Sequence, residues 1–181
     1  MLVGKGWAFI HIPKCGGTTI RAVLQGREVA DYLPMIPDQT VDHRFHWLSH
    51  CRPRGEVFTV VRKPHRWLLS YWNMRSKEER KPWRALDRLW SDDPDEFIQR
   101  VAREQPGYIG RMFHAYMPWP GIRVHRLEDG LNWLSQYGAG KVEKKNLGHP
   151  PPISDESIAA INESAYQPGA MVPFVTTEGR M

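Results

Sequence analysis

Two short stretches do most to limit what this chain can fold into. WAFIHI (7–12) and EVFTVV (56–61) are apolar and rich in aromatic and β-branched residues, and each breaks abruptly into a charged loop. Runs of that length and composition read as buried strands. After the first run, Pro13-Lys14-Cys15-Gly16-Gly17 leads into Thr18–Leu24, where Ile20, Val23 and Leu24 fall at helical spacing. After the second, Arg62-Lys63 leads to Pro64, a residue suited to a first helical turn. That helix is expected to reach about Lys77, with Trp67, Leu68, Tyr71 and Trp72 on one face. Strand, helix, strand, helix predicts an α/β fold with a parallel central sheet flanked by helices. In such sheets ligands bind outside the C-terminal ends of the strands, and both charged loops fall there.

The rest of the chain fits this frame. A third strand is expected at IRVHRL (122–127), and helices at SDDPDEFIQRVA (91–102), LNWLSQY (131–137) and SDESIAAINES (154–164). KVEKKN (141–146) reads as a weak strand or loop, and 27–41 as a variable connection. There is no internal repeat. With 181 residues, 41% of them hydrophobic, a single domain over 1–181 can bury a real core. No apolar run is long enough to span a membrane, and MLVGKGWAFIHIP lacks the form of a signal peptide. A cytoplasmic protein with no membrane partner is expected. The two cysteines, Cys15 and Cys51, need not pair in that setting.

Charge is unevenly placed. Residues 52–84 hold ten Lys or Arg and three acids, a local +7 within a net +5, so the remainder carries −2. A basic middle suggests an anionic partner, although a solvated helix face would look the same.

The first loop has the parts of an anion cradle. Gly16-Gly17 allows close backbone approach, Lys14 brings a full charge, and Thr18 and Thr19 bring hydroxyls at the start of a helix. A plain Gly-rich turn is the simpler alternative. The nucleotide-binding pattern GxxxxGK[ST] is absent, because the lysine precedes the glycines. Magnesium-dependent ATP hydrolysis is therefore not the natural reading. In the second loop, Arg62 leaves the strand end and Ser70 follows eight residues later. Together, with help from Arg66, they can grip one phosphate. The alternative is that Arg62 pairs with a core acid.

Taken as a pair, the loops resemble those of PAPS-dependent sulfotransferases, above all the carbohydrate-type and small bacterial or phage-borne members. HIPKCGGTT looks like the family's 5'-phosphosulfate loop, and VVRKPHRWLLSYW like its 3'-phosphate motif. PGYIGRMFHAY with IRVHRLEDGL, and VEKKNLGHPPP, are weaker matches, and the likeness covers roughly residues 7–165. The resemblance implies a fold like that of the P-loop nucleotide kinases. It implies the donor PAPS (3'-phosphoadenosine 5'-phosphosulfate), held by Lys14, Cys15, Gly16, Gly17, Thr18 and Thr19 at the 5' end and by Arg62 and Ser70 at the 3'-phosphate. It implies in-line sulfuryl transfer to an acceptor hydroxyl on a carbohydrate, with no metal. Cys15 departs from the Thr or Ser of many members. A thiol at a helix N-terminus beside Lys14 invites the further, weaker reading of a reactive cysteine.

Transfer needs a base. VDHRFHWLSH (41–50) carries three histidines just before the second strand. Histidine titrates near neutrality. By position in the family, His43 aligns best as the base, then His46, then His50. His11, on the first strand, is expected to be structural. Acceptor contacts are expected from Trp72, Arg75 and the Trp-, Tyr- and Arg-rich segment 77–119, although most of the eight tryptophans are expected simply to pack helices. Other readings stay open: a zinc site from His43, His46, His50 and Cys51, whose spacing is unusual for zinc; a phosphometabolite kinase; a degenerate, non-catalytic anion binder; and a nucleic-acid-binding module built on the basic 52–84 region.

Overall fold

The structure, a computed structural model, describes residues 1–24, 27–28, 54–77, 85–117, 119–139, 142 and 151–165. The chain starts with a hairpin. Strand β1 (Leu2–Gly4) runs antiparallel to β2 (Trp7–Ile10) across a two-residue turn at Lys5-Gly6. Helix α1 (Gly17–Val23) follows the first loop, and β3 (Arg27–Glu28) returns to pair with β1. Strand β4 (Glu56–Val61) leads into helix α2 (Pro64–Arg75). Helices α3 (Pro94–Glu104) and α4 (Tyr108–Ala115) precede β5 (Arg123–Arg126), and α5 (Asp155–Ala165) ends the described chain.

Among the described residues the sheet order is β3-β1-β2-β4-β5. The three inner and edge strands β2, β4 and β5 are parallel, with Phe9 opposite Phe58 and Phe58 opposite Arg123. The expectation of a parallel sheet therefore holds for this half. It fails for β1 and β3, which are antiparallel and make the sheet mixed. A three-residue strand joined by a tight turn leaves too little pattern to be seen in the sequence.

One face of the sheet is an aromatic layer. Phe58 lies almost parallel to Tyr137, ring centres 4.1 Å apart, and Trp133 meets it edge-on at 5.6 Å. These rings come from Asn132–Tyr137, expected as an α-helix but wound as a 3₁₀ turn. Only seven residues separate Gly130 from the left-handed Gly138, and the 3₁₀ winding lines up Leu134 and Tyr137 at i and i+3, both buried. The opposite face carries Ile10 and Val57 under Trp119.

Helices α2, α3 and α5 share the main core through Leu68, Leu69, Phe97, Ile98, Val101 and Ile161, all nearly solvent-free. Each such side chain contributes roughly 2 kcal/mol by leaving water. Helix α3 is capped by Asp93, whose side chain accepts the Asp95 N–H at 2.9 Å, and Pro94 sits in its first turn. Helix α5 begins behind Ser154, whose Oγ accepts the Ser157 N–H at 3.2 Å while Asp95 accepts the Ser154 N–H at 2.9 Å. The two helix starts are thereby tied together. Helix α4, to which the sequence reading assigns no element, buries Ile109 and Phe113. The segments 27–41 and 141–146 fall largely outside the described residues.

Candidate functional site

The first loop turns sharply. Lys14 is the one non-glycine with positive φ among the described residues, at 65°. Gly16, the N-cap of α1, follows with φ 77°. A left-handed lysine costs about 1–2 kcal/mol, so the surrounding contacts must enforce it. Left-handed residues thus stand on both sides of Cys15. Cys15 donates its own N–H to Ile12 O at 3.3 Å and closes the turn. The N–H groups of Gly17, Thr18 and Thr19 belong to a first helical turn that has no internal acceptor for them.

Both glycines are dictated by their surroundings. A Cβ on Gly17 would stand 1.9 Å from His11 Nε2, inside the imidazole, and one on Gly16 would stand 2.8 Å from Leu127 Cδ1. His11 is half-buried and stacks on Phe9 at 6.2 Å. Its ring forms the floor on which the loop lies.

The second loop closes on the first. Arg62 Nη1 donates to Lys14 O at 3.4 Å, and Trp67 Nε1, one turn into α2, donates to Pro13 O at 2.8 Å. Residues 48 and 54 positions apart are so brought together at the ends of adjacent parallel strands. On α2, Trp67, Leu68 and Tyr71 point inward, while Arg66, Ser70 and Asn73 form a stripe with Arg66 exposed and the other two half-buried. Ser70 therefore shares the Arg66 side of the helix.

A third loop joins them, from the end of β5. Leu127 packs against Gly16, and Glu128 Oε1 accepts the Lys63 N–H at 3.0 Å. The resemblance covers both residues, within IRVHRLEDGL, as the end of a later family strand that often closes on a Glu-Asp pair, without giving either a role in the site. The strand-end rule applied to IRVHRL would have found them, since Leu127-Glu128-Asp129 follows the third parallel strand directly. Burial draws the Arg62 guanidinium pKa below its usual value, and nearby Glu128 and Cys15 oppose that shift.

Three side chains decide between the readings the sequence left open. Cys15 is buried, and desolvation pushes its thiol far above the ordinary range, Arg62 offsetting only part of this. A reactive thiolate does not fit that environment. Arg75 is 3% exposed and forms an ion pair with Asp87 at 3.0 Å, so it cannot reach an acceptor. Trp72 stacks on Trp90 at 5.8 Å and donates to Ser91 O at 2.9 Å, which makes it a packing residue. The histidines His43, His46 and His50, with Cys51 and the zinc reading, lie outside the described residues. Among the described residues no cluster of three His, Cys, Asp or Glu side chains could hold a metal ion, and no helix is long and apolar enough to cross a membrane. Comparison with protein-family models, curated proteins and solved structures gives no match to this chain.

Proposed function

We propose that this chain is a PAPS-dependent sulfotransferase that sulfates a hydroxyl on a carbohydrate acceptor, on the fold of the P-loop nucleotide kinases. The observation that supports it most is the contact between Arg62 and Lys14 O, because it makes one site of two loops that each have phosphate-binding composition. The loop can lie directly on His11 only because Gly17 has no side chain, since a Cβ there would enter the imidazole.

PAPS, when bound, supplies the sulfuryl group and a phosphate leaving group. The chain's own residues then have distinct tasks. Gly17, Thr18 and Thr19 offer N–H and hydroxyl donors to the 5'-phosphate and sulfuryl oxygens. The Lys14 ammonium faces the charge that grows on the leaving bridging oxygen. Arg62 and Ser70 hold the 3'-phosphate, and so decide between PAPS and a nucleotide without that group. His43, or His46 in its place, takes the acceptor proton, a contribution of about 10²–10⁴-fold. No step calls for a metal.

The alternative of a non-catalytic or nucleic-acid-binding protein using residues 52–84 is less well supported. Of the basic residues described there, Arg75 is sealed in an ion pair and Arg62 turns to the first loop, so they add nothing to an exposed basic face. The test is transfer of labelled sulfate from PAPS to a panel of polysaccharides. Label in a saccharide product, lost in Lys14→Ala, supports the proposal. PAP binding without transfer to any acceptor would point to a non-catalytic binder.

A further inference from the structure

The proposed donor site holds a group that at first sight opposes its purpose. Glu128 Oε1 accepts the N–H of Lys63, the N-cap of α2 and the neighbour of Arg62. Helix α2 has no side-chain cap of its own and no acid in its first turn, and Pro64 has no N–H to offer. A helix N-terminus favours a negative charge, and here the charge arrives from across the chain. Leu127, packed on Gly16, fixes the turn that presents it. A carboxylate thus stands at the positive end of α2, beside the arginine proposed to take the 3'-phosphate.

We infer that Glu128 is a positioning residue that holds the place of the 3'-phosphate: it neutralises the α2 N-terminus and keeps the Arg62 turn in shape before the donor binds, then shares that position with the phosphate. The inference rests on the donor-site reading above. Its consequence is a site that is preformed yet grips its product loosely. Repulsion between the Glu128 carboxylate and the 3'-phosphate weakens PAP binding and speeds PAP release.

Titration calorimetry with PAP tests this, using the whole chain and Glu128→Gln. The amide can still accept the Lys63 N–H but carries no charge. PAP should bind the variant roughly three- to tenfold more tightly, the effect of one screened charge at short range. Adenosine 5'-phosphate, which lacks the 3' group, should bind both proteins alike. Unchanged or weaker PAP binding by a variant that melts like the parent overturns the inference; Glu128→Ser gives the same reading if the Gln variant folds poorly. If the parent binds no PAP, the donor reading fails, and inorganic sulfate decides the role of Glu128. A sulfate-induced rise in Tm at several-fold lower concentration in the variant supports it, and identical sulfate titrations overturn it.

Discussion

Single atoms decide the shape of the first loop. Gly17 has an ordinary backbone conformation but no room for a Cβ, because His11 fills the space. Gly17→Ala is expected to cost about 1–3 kcal/mol of stability and to weaken PAP binding at least tenfold. Pairing it with His11→Ala should restore much of the stability, since the clash is with that one ring. Denaturant midpoints of the two single variants and the double variant check this; strict additivity would show that the clash lies elsewhere. Cys15 gives a second prediction. Its thiol is buried and ionises far above the usual range, so alkylation of the native protein in a Cys51→Ser background should stay slow at pH 8 and become fast on unfolding. The unfolded thiol ionises above about pH 8.5 while the folded one keeps its proton. The stability tied to Cys15 is therefore fully present below that value and is lost as pH rises above it. The need for glycine at 16 and 17 was legible in the sequence. The reason at Gly17 was not, because it depends on which way the His11 ring points.

At the scale of elements, α2 does two jobs. Its first turn carries Trp67 to Pro13 O and so clamps the two loops. Its last turn carries Arg75 into a buried pair with Asp87, which also accepts from Tyr71 Oη at 2.6 Å. Removing one partner, as in Asp87→Ala, leaves an uncompensated buried charge and is expected to cost about 3–5 kcal/mol, read as a lower urea midpoint. A loss below 1 kcal/mol would mean that the pair is solvated. The helix itself was readable from Pro64 and the spacing of Trp67, Leu68 and Tyr71. The burial of Arg75 was not, since its partner lies twelve positions on, across a connection with no regular pattern. The strands after which the loops fall were equally plain, whereas β1 and α4 were too short or too glycine-rich to show a period. Asn132–Tyr137 shows the limit of periodicity: the right residues pack on Phe58, but in a tighter helix than their spacing suggested.

For the whole molecule, three parallel strands end on one rim, and each sends a loop to the same place: Lys14–Gly17, Arg62-Lys63 and Leu127-Glu128. The strand-end placement of the first two was legible from the sequence, and that of the third only from the strand before it. Acid should weaken this assembly. His65 on α2 and His125 on β5 both have pKa values lowered by burial, His125 stacked on Trp133 at 3.6 Å. The unfolded imidazoles take up protons more readily, so the stability they contribute is present above about pH 6.5 and is lost as pH falls below it. Tm should fall between pH 7 and 5, and less so in His125→Phe; an equal fall in that variant would remove His125 from the explanation. Whether the first two loops form one PAPS site is decided by calorimetric titration with PAP of the parent, Lys14→Ala, Arg62→Ala and the double variant. Each single change should weaken binding about tenfold to a hundredfold, as expected for a lost charged contact. Lys14→Ala keeps the main-chain carbonyl that accepts from Arg62, and the two side chains are assigned to different ends of the donor, so the double variant should lose about the product of the two. Absence of PAP binding by the parent, or two single variants that bind as it does, would contradict the account.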